Sequence, residues 1–469
     1  MAAADGNIRE FVKSELNKVG CGFCLAKWTQ TTIHLQMGRT HSCHHPESHP
    51  IPLVELNRNP SALHNTKYKK KLRKEMLEGV RPAECDYCWN VEDNSEHHSD
   101  RFYKSEEPWS WPEFQKIKDS DWRDDYNARY VEVAFSNDCN CKCSYCGPSF
   151  SSKWVNEIEE YGAYPTTSFY NNLDDQKKIP FKRGDHNPYL ESFWKWWPDL
   201  YRDLHTFRIT GGEPLLSKDT WDILDYIINE KDPNRNLHLA INTNLNFRRT
   251  VIDKFIDKIN KIADENRTKD IVIFTSVDGW GEQAEYGRYG LEFNKFWDNV
   301  HRVMEKCPTI TMGVMATYNA LSVPSFHKLI YGVHDLKRAY ASDQRAWTTA
   351  AVLDSSYLRY PPHQTVQILP QEFSSMVKTQ AEMASERQDV YHVGSNKDVL
   401  AFGYTQMEIP KIERIYDWMR APQDKIQLEI NRKDFYNFIT EHDKRRGTNF
   451  CKTFPEYEEF YNYCKTIKL

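Results

Sequence analysis

The segment Tyr130–Pro148 reads YVEVAFSNDCNCKCSYCGP. Val131, Val133 and Phe135 alternate with Glu132 and Ala134, the period-two pattern of a half-buried strand, which is expected to end near Ser136. A cysteine loop follows at once. Cys139, Cys143 and Cys146 stand in a C-x3-C-x2-C spacing, with Cys141 as a further thiol inside it. Three thiolates on one short loop suit a [4Fe-4S] cluster that keeps its fourth iron open to a small molecule. Zinc sites generally use two CxxC pairs and close a tetrahedron. A zinc knuckle or a group of buried free thiols is the plainer alternative for this spacing taken alone.

The second informative stretch is Phe207–Pro214, FRITGGEP, another strand pattern ending in Gly-Gly-Glu-Pro. Gly211 and Gly212 let backbone approach a ligand closely, and Glu213 offers a carboxylate to a cationic group. The two motifs in this order resemble the radical S-adenosylmethionine (SAM) superfamily. The resemblance implies that Cys139, Cys143 and Cys146 hold a [4Fe-4S] cluster whose open iron binds the amino and carboxylate groups of SAM. It also implies that Gly211, Gly212 and Glu213 meet the methionyl ammonium and that Tyr145 lies beside the adenine. Cys141 departs from the family pattern, which has an apolar residue there.

The 469 residues are enough for a sizeable core and for two or three domains. A net charge of −5 gives no electrostatic footprint for nucleic acid. No apolar run reaches transmembrane length, and MAAADGNIREF lacks the apolar core of a signal peptide, which together point to a cytoplasmic protein. Most of the 12 cysteines fall in two clusters, for which metal ligation in a reducing compartment is a better account than disulfides.

Residues 1–125 form the first unit, with the Trp- and charge-rich stretch Glu106–Asn127 expected as a linker. Thr31–Gln36 reads as a strand, with a turn at Gly38. Asn57–Gly79 reads as a helix, with Asn65 or Thr66 as N-cap and Gly79 as C-cap. Its lysine and arginine run from Lys67 to Lys74 is expected to be a solvated face. Cys24, Cys43, Cys85 and Cys88 make a second set of four candidate ligands, and spacing leaves zinc and an iron–sulfur cluster both open. The order of cysteine, hairpin, helix and CxxC resembles the twitch (SPASM-like) auxiliary-cluster domain of radical SAM enzymes. That implies an auxiliary iron–sulfur cluster on these four residues, with Cys21 left over.

From Tyr130 onward short β-branched strands alternate with helices, which indicates βα units and a parallel sheet. The expected strands are YVEVAF, FRITGG, LHLAINTN, IVIFTSVD and TITMGVMATYN, with Val366–Leu369 as a sixth. The fold class is α/β: a partial (β/α)6 TIM-like barrel over 126–370, a small N-terminal Cys-rich domain, and a helical region over 371–469. Ligands of parallel barrels sit at the C-terminal strand ends. Here those ends carry Asn242, Asn244, Ser276, Asp278 and Asn319. Asn, Asp and Ser also favour turns for their own sake, and for Asn242, Asn244 and Asn319 that reading is nearly as good. By resemblance Ser276 and Asp278 contact the ribose and carboxylate of SAM, and Arg288 takes its carboxylate. Asp278 and Glu285 are open to the substrate as well. Cys307, Cys451 and Cys464 read as structural thiols.

The resemblance implies reductive cleavage of SAM to methionine and a 5′-deoxyadenosyl radical that abstracts a substrate hydrogen. It implies an electron donor such as a flavodoxin or ferredoxin, and a substrate that is a peptide, a protein or a small molecule. The competing readings are a non-catalytic zinc or iron–sulfur binding module, and a radical SAM enzyme acting on a sugar, a nucleotide or RNA.

Overall fold

The structure, a computed structural model, describes residues 2–167, 180–182, 184–393 and 398–468. Much of the polar insertion expected over 164–189 lies outside the described residues. In chain order the strands that matter are β1 (Gln30–His34), β2 (Arg39–His41), β3 (His49–Pro50), β4 (Tyr130–Ala134), β5 (Lys142–Cys143), β6 (Thr206–Thr210) and β7 (His238–Asn242). They continue with β8 (Asp270–Ser276), β9 (Arg288–Tyr289), β10 (Thr311–Tyr318) and β11 (Ala351–Tyr357). Nine of these make one sheet in the order β11-β10-β8-β7-β6-β4-β1-β2-β3. Strands β4, β6, β7, β8, β10 and β11 are parallel and lie in chain order. Parallel neighbours need long crossovers, and helices supply each one: Lys218–Asn229, Arg249–Asp264, Phe293–Lys306 and Phe326–Ala339 among them.

The alternation read from the sequence sorts the two faces. Val131, Val133, Phe207, Ile209, Leu239 and Ile241 are fully buried beneath the helices. Glu132, Arg208, Asn242, Ser276 and Met315 are only half-buried. The sheet thus has an apolar side under the helices and a polar opposite side, on which Asn242 and Ser276 stand at the C-terminal strand ends where ligands of parallel barrels sit.

Two expectations are corrected. The sixth parallel strand is Ala351–Tyr357, and Val366–Ile368 is a buried 3-10 turn. The basic run is only partly solvated. Thr66 does cap the helix, accepting from Lys69 N at 3.1 Å, but the helix spans Lys67–Leu77 and completely buries Lys69 and Arg73. Lys69 Nζ donates to Thr31 Oγ1 (2.9 Å) and Thr40 Oγ1 (3.0 Å). Arg73 donates to Asn65 Oδ1 (2.9 Å) and Lys27 O (3.2 Å). At helical spacing these two side chains share one face, and that face is turned into the protein.

The N-terminal unit is built into the sheet. β1 pairs in parallel with β4 over five residues, from Gln30↔Tyr130 to His34↔Ala134, and antiparallel with β2. The stretch expected as a linker contains a short helix, Phe114–Lys118. Ile117 and Tyr126 of that stretch pack in a small core with Val12, Leu16, Phe23 and Trp28.

The C-terminal region is helical as expected, chiefly Ser374–Ser385, Ile409–Arg420, Lys425–Arg446 and Glu458–Thr466. It covers the β11 edge, where Lys337 and Glu408 form a 3.0 Å ion pair with side chains 0% and 1% exposed. Glu408 also accepts from Leu353 N (2.8 Å), Thr405 N (2.9 Å) and Thr405 Oγ1 (2.9 Å). Among the described residues no helix is long and apolar enough to cross a membrane.

Candidate functional site

Beyond β4 the chain passes through Ser136–Asp138 into the cysteine loop, and the end of β6 is stitched to it there. Gly212 N donates to Ser136 O (3.1 Å) and Glu213 N to Asp138 O (2.7 Å). A Cβ on Gly212 would lie 2.4 Å from Asp138 O, and one on Gly211, whose φ is +127°, 2.8 Å from Ser136 O. This seam admits only glycine at both positions.

The cysteine loop is held from several sides. Its β5 pairs with β9 as Lys142↔Tyr289 and Cys143↔Arg288. Three successive carbonyls are taken by side chains from three parts of the chain. Arg446 Nη1 donates to Lys142 O (3.4 Å), Trp154 Nε1 to Cys143 O (3.0 Å), and Gln364 Nε2 to Ser144 O (2.9 Å). Arg446 is buried beside Glu157 (3.4 Å), which also pairs with the ammonium of Lys142. Arg446→Leu leaves Glu157 its lysine but removes the clamp on the loop. We expect a loss of about 2 kcal/mol, the scale of hydrogen bonds to a charged group, together with faster alkylation of Cys143 in the metal-free protein. Urea unfolding and iodoacetamide labelling measure the two. A variant as stable and as slowly labelled as the parent would show that Arg446 does not brace the loop.

Glu213 is 2% exposed. Its carboxylate accepts from Thr243 Oγ1 (2.7 Å), Asn244 N (2.6 Å) and Leu215 N (3.1 Å). Burial nevertheless pushes its pKa up to about 7, against the pull of those three donors. Asn244 Nδ2 donates to Asn140 Oδ1 (2.6 Å), and Asn242 Oδ1 accepts from Arg208 Nε (3.0 Å).

Asp278 and Arg288 form a buried bidentate pair, Nε to Oδ2 at 2.7 Å and Nη2 to Oδ1 at 3.0 Å. Tyr145 Oη donates to Asp278 Oδ2 (2.9 Å) and accepts from Arg288 Nη2 (2.6 Å), while Thr317 N donates to Asp278 Oδ1 (2.8 Å).

These groups surround one cavity of about 260 Å³. Cys139, Cys143, Cys146, Tyr145, Gly211, Gly212, Glu213, Asn242, Asn244, Ser276 and Arg288 all line it. Asp278 stands behind that lining, spent on Arg288 and Tyr145. Asn319 stays outside it: its Nδ2 donates to Thr317 O (2.8 Å) and its Oδ1 accepts from Leu321 N (2.9 Å), the side chain serving its own turn. Phe150, Thr210, Thr243 and Thr317 line the cavity as well. Threonine beside the strand-end polar residues was a usable signal, whereas nothing in the sequence marks Phe150. In the metal-free protein, burial and then neighbouring thiols raise the pKa of Cys139 and Cys146, the latter to about 12. Burial likewise raises Cys143, against the pull of Arg288. Any metal taken up by these thiols would therefore displace protons.

Cys24, Cys43, Cys85 and Cys88 come together around a second, small cavity of about 20 Å³, with Lys27, His45, Asp100 and Arg101 in its wall. Burial and then the neighbouring thiols push Cys24 up to about 12. Cys21 does not line this cavity; its thiol lies 3.2 Å from Gly79 O. Among the described residues no group of three or more His, Cys, Asp or Glu side chains is arranged to hold a single metal ion.

No family model matches this chain, and no curated protein does. Among solved structures, native anSMEcpe with bound AdoMet is similar at 12% identity and a TM-score of 0.33, over 72% of this chain and 99% of that one. A likeness of that size supports no statement about the site.

Proposed function

We propose that this chain is a radical SAM enzyme with an auxiliary iron–sulfur cluster. The observation that carries the reading is the convergence of Cys139, Cys143 and Cys146 with the Gly211–Glu213 strand end on one cavity. Six parallel strands in chain order, with no reversal of direction between neighbours, support a partial (β/α)6 barrel over 126–370. The donor set fits a [4Fe-4S] cluster: Cys139, Cys143 and Cys146 line the cavity in the spacing that suits three irons, while Cys141, a fourth thiol in the same lining, has its sulfur engaged by Asn244 Nδ2 at 3.7 Å. When bound, cluster and SAM supply the reductive cleavage that yields methionine and a 5′-deoxyadenosyl radical for hydrogen abstraction.

The chain's own residues do the rest. Glu213, raised by burial and poised to ionise, accepts an ammonium, whose charge favours the carboxylate form. Thr243 and Asn244 fix its two oxygens. Ser276 presents a hydroxyl to a ribose or carboxylate, whereas the Asn244 amide is spent on Asn140, Cys141 and Asn246 N. Arg208 over Phe274 (4.4 Å) continues the polar face toward a substrate. Cys24, Cys43, Cys85 and Cys88 in the 1–125 unit would hold the auxiliary cluster. A peptide, a protein or a small molecule is the substrate class, with a flavodoxin or ferredoxin as electron donor.

The test is anaerobic: reconstitute with iron and sulfide, reduce with dithionite, add SAM and measure 5′-deoxyadenosine. The parent should form it, and a Cys139/Cys143/Cys146 triple-alanine variant should not. Protein that holds zinc and takes up no acid-labile sulfide would return the chain to the class of zinc-binding modules.

A further inference from the structure

We infer that Arg288 is a positioning residue that sets the reduction potential of the cluster on Cys139, Cys143 and Cys146. Resemblance would make it the clamp on the SAM carboxylate. This inference rests on the iron–sulfur reading above.

The guanidinium is already occupied on two of its nitrogens. Nε and Nη2 hold both oxygens of Asp278 at 2.7 and 3.0 Å, and Nη2 also holds Tyr145 Oη at 2.6 Å. Asp278 is fixed in turn by Thr317 N at 2.8 Å. A bidentate arginine–carboxylate pair with side chains 9% exposed on both sides is not released for a second carboxylate without stranding a buried charge. The nitrogen left is Nη1, and it stands 3.6 Å from Cys143 Sγ.

The backbone holds it there independently. Cys143 and Arg288 are directly paired across the β5–β9 ladder. The turn after β9 is locked against the loop: a Cβ on Gly290 would lie 2.7 Å from Asn140 O, and Asn246 Nδ2 donates to Gly290 O at 2.6 Å. The side chain and main chain of Arg288 therefore both address the same ligand cysteine. An N–H donor aimed at a ligand sulfur stabilises the more negative, reduced cluster, and hydrogen bonds to sulfur are among the levers that set such potentials. Asp278 and Tyr145 serve as the brace that orients this donor.

The experiment compares the parent with Arg288→Gln and Arg288→Lys, each reconstituted with iron and sulfide. An EPR-monitored redox titration without SAM gives the one-electron midpoint, and titration of the EPR signal with SAM gives its Kd. Both variants should become at least tenfold harder to reduce, which is about 59 mV for one electron, with SAM affinity changed less than about threefold. Midpoints equal to the parent's with SAM affinity lost tenfold or more would overturn the inference and restore the clamp. If Arg288→Gln takes up no cluster, Arg288→Lys decides, since it keeps the charge and loses the fork. A parent that takes up zinc alone would overturn the proposed function itself, and this inference with it.

Discussion

Near pH 8, Glu213→Gln is expected to give a protein more stable than the parent by about 2 kcal/mol and unable to use SAM. The folded protein raises this carboxyl from 4.5 to about 7, first through burial. Below pH 4.5 the group is protonated in both the folded and unfolded chains and favours neither. Between there and about pH 7 the unfolded chain ionises first, so stability falls as pH rises. Above both values the ionised, buried carboxylate costs about 3 kcal/mol. Glutamine removes that cost. It gives back about 1 kcal/mol because an amide accepts at one end only and cannot satisfy Leu215 N, Thr243 Oγ1 and Asn244 N together. The destabilised carboxylate is what a cationic ligand would relieve, so the variant gains stability where it loses binding. Urea unfolding near pH 8 and near pH 4 measures the first effect, and 5′-deoxyadenosine formation the second. A parent–variant difference that is the same at both pH values would remove Glu213 as a strained carboxylate.

The second large effect lies far from the cavity. Lys337→Met is expected to cost about 3–5 kcal/mol, because it removes one partner of a fully buried pair and leaves the other charged. Glu408 holds the start of helix Ile409–Arg420 through Thr405 and the β11 strand through Leu353 N. Its three remaining donors soften the loss but supply no positive charge. Substituting both partners by uncharged residues of similar volume should recover much of the deficit, since burying either charge is itself unfavourable. Equilibrium unfolding of the single and double variants reads this directly. A single variant within about 1 kcal/mol of the parent would mean that the pair contributes no more than an ordinary hydrogen bond.

Much of the site was legible because its chemistry is local in sequence. Cys139, Cys143 and Cys146 share one loop, and Gly211–Glu213 follow one strand, so spacing alone brings each group together. Cys24, Cys43, Cys85 and Cys88 were found as a set but span three elements, and only folding brings them to one cavity. The misses have physical causes. Strand β11 carries Ser355 where alternation would want an apolar residue and Val352 where it would want a polar one, so it gives no clean period, whereas Val366 and Ile368 are apolar and buried within a 3-10 turn. Lys69 and Arg73 read as surface because charge usually does, and partners brought by folding, Thr31, Thr40, His64, Asn65 and the Lys27 carbonyl, make their burial tolerable. Arg288 and Asp278 were both marked, but that each would satisfy the other is a tertiary fact. Asn319 obeyed ordinary turn chemistry.

The parallel pairing of β1 with β4 has a practical side. Cutting away residues 1–125 to isolate the larger unit would strip the Tyr130–Ala134 strand of its neighbour and bare a row of unsatisfied amides and carbonyls beside Val131 and Val133. Such an open border invites other chains to add to it, so a shortened form should clump instead of yielding a tractable minimal enzyme. The same pairing joins the strand that leads into the Cys139–Cys146 loop to the strand whose hairpin leads on to Cys43, so the two groups of thiols are approached from neighbouring strands of one sheet and not from two bodies joined by a tether.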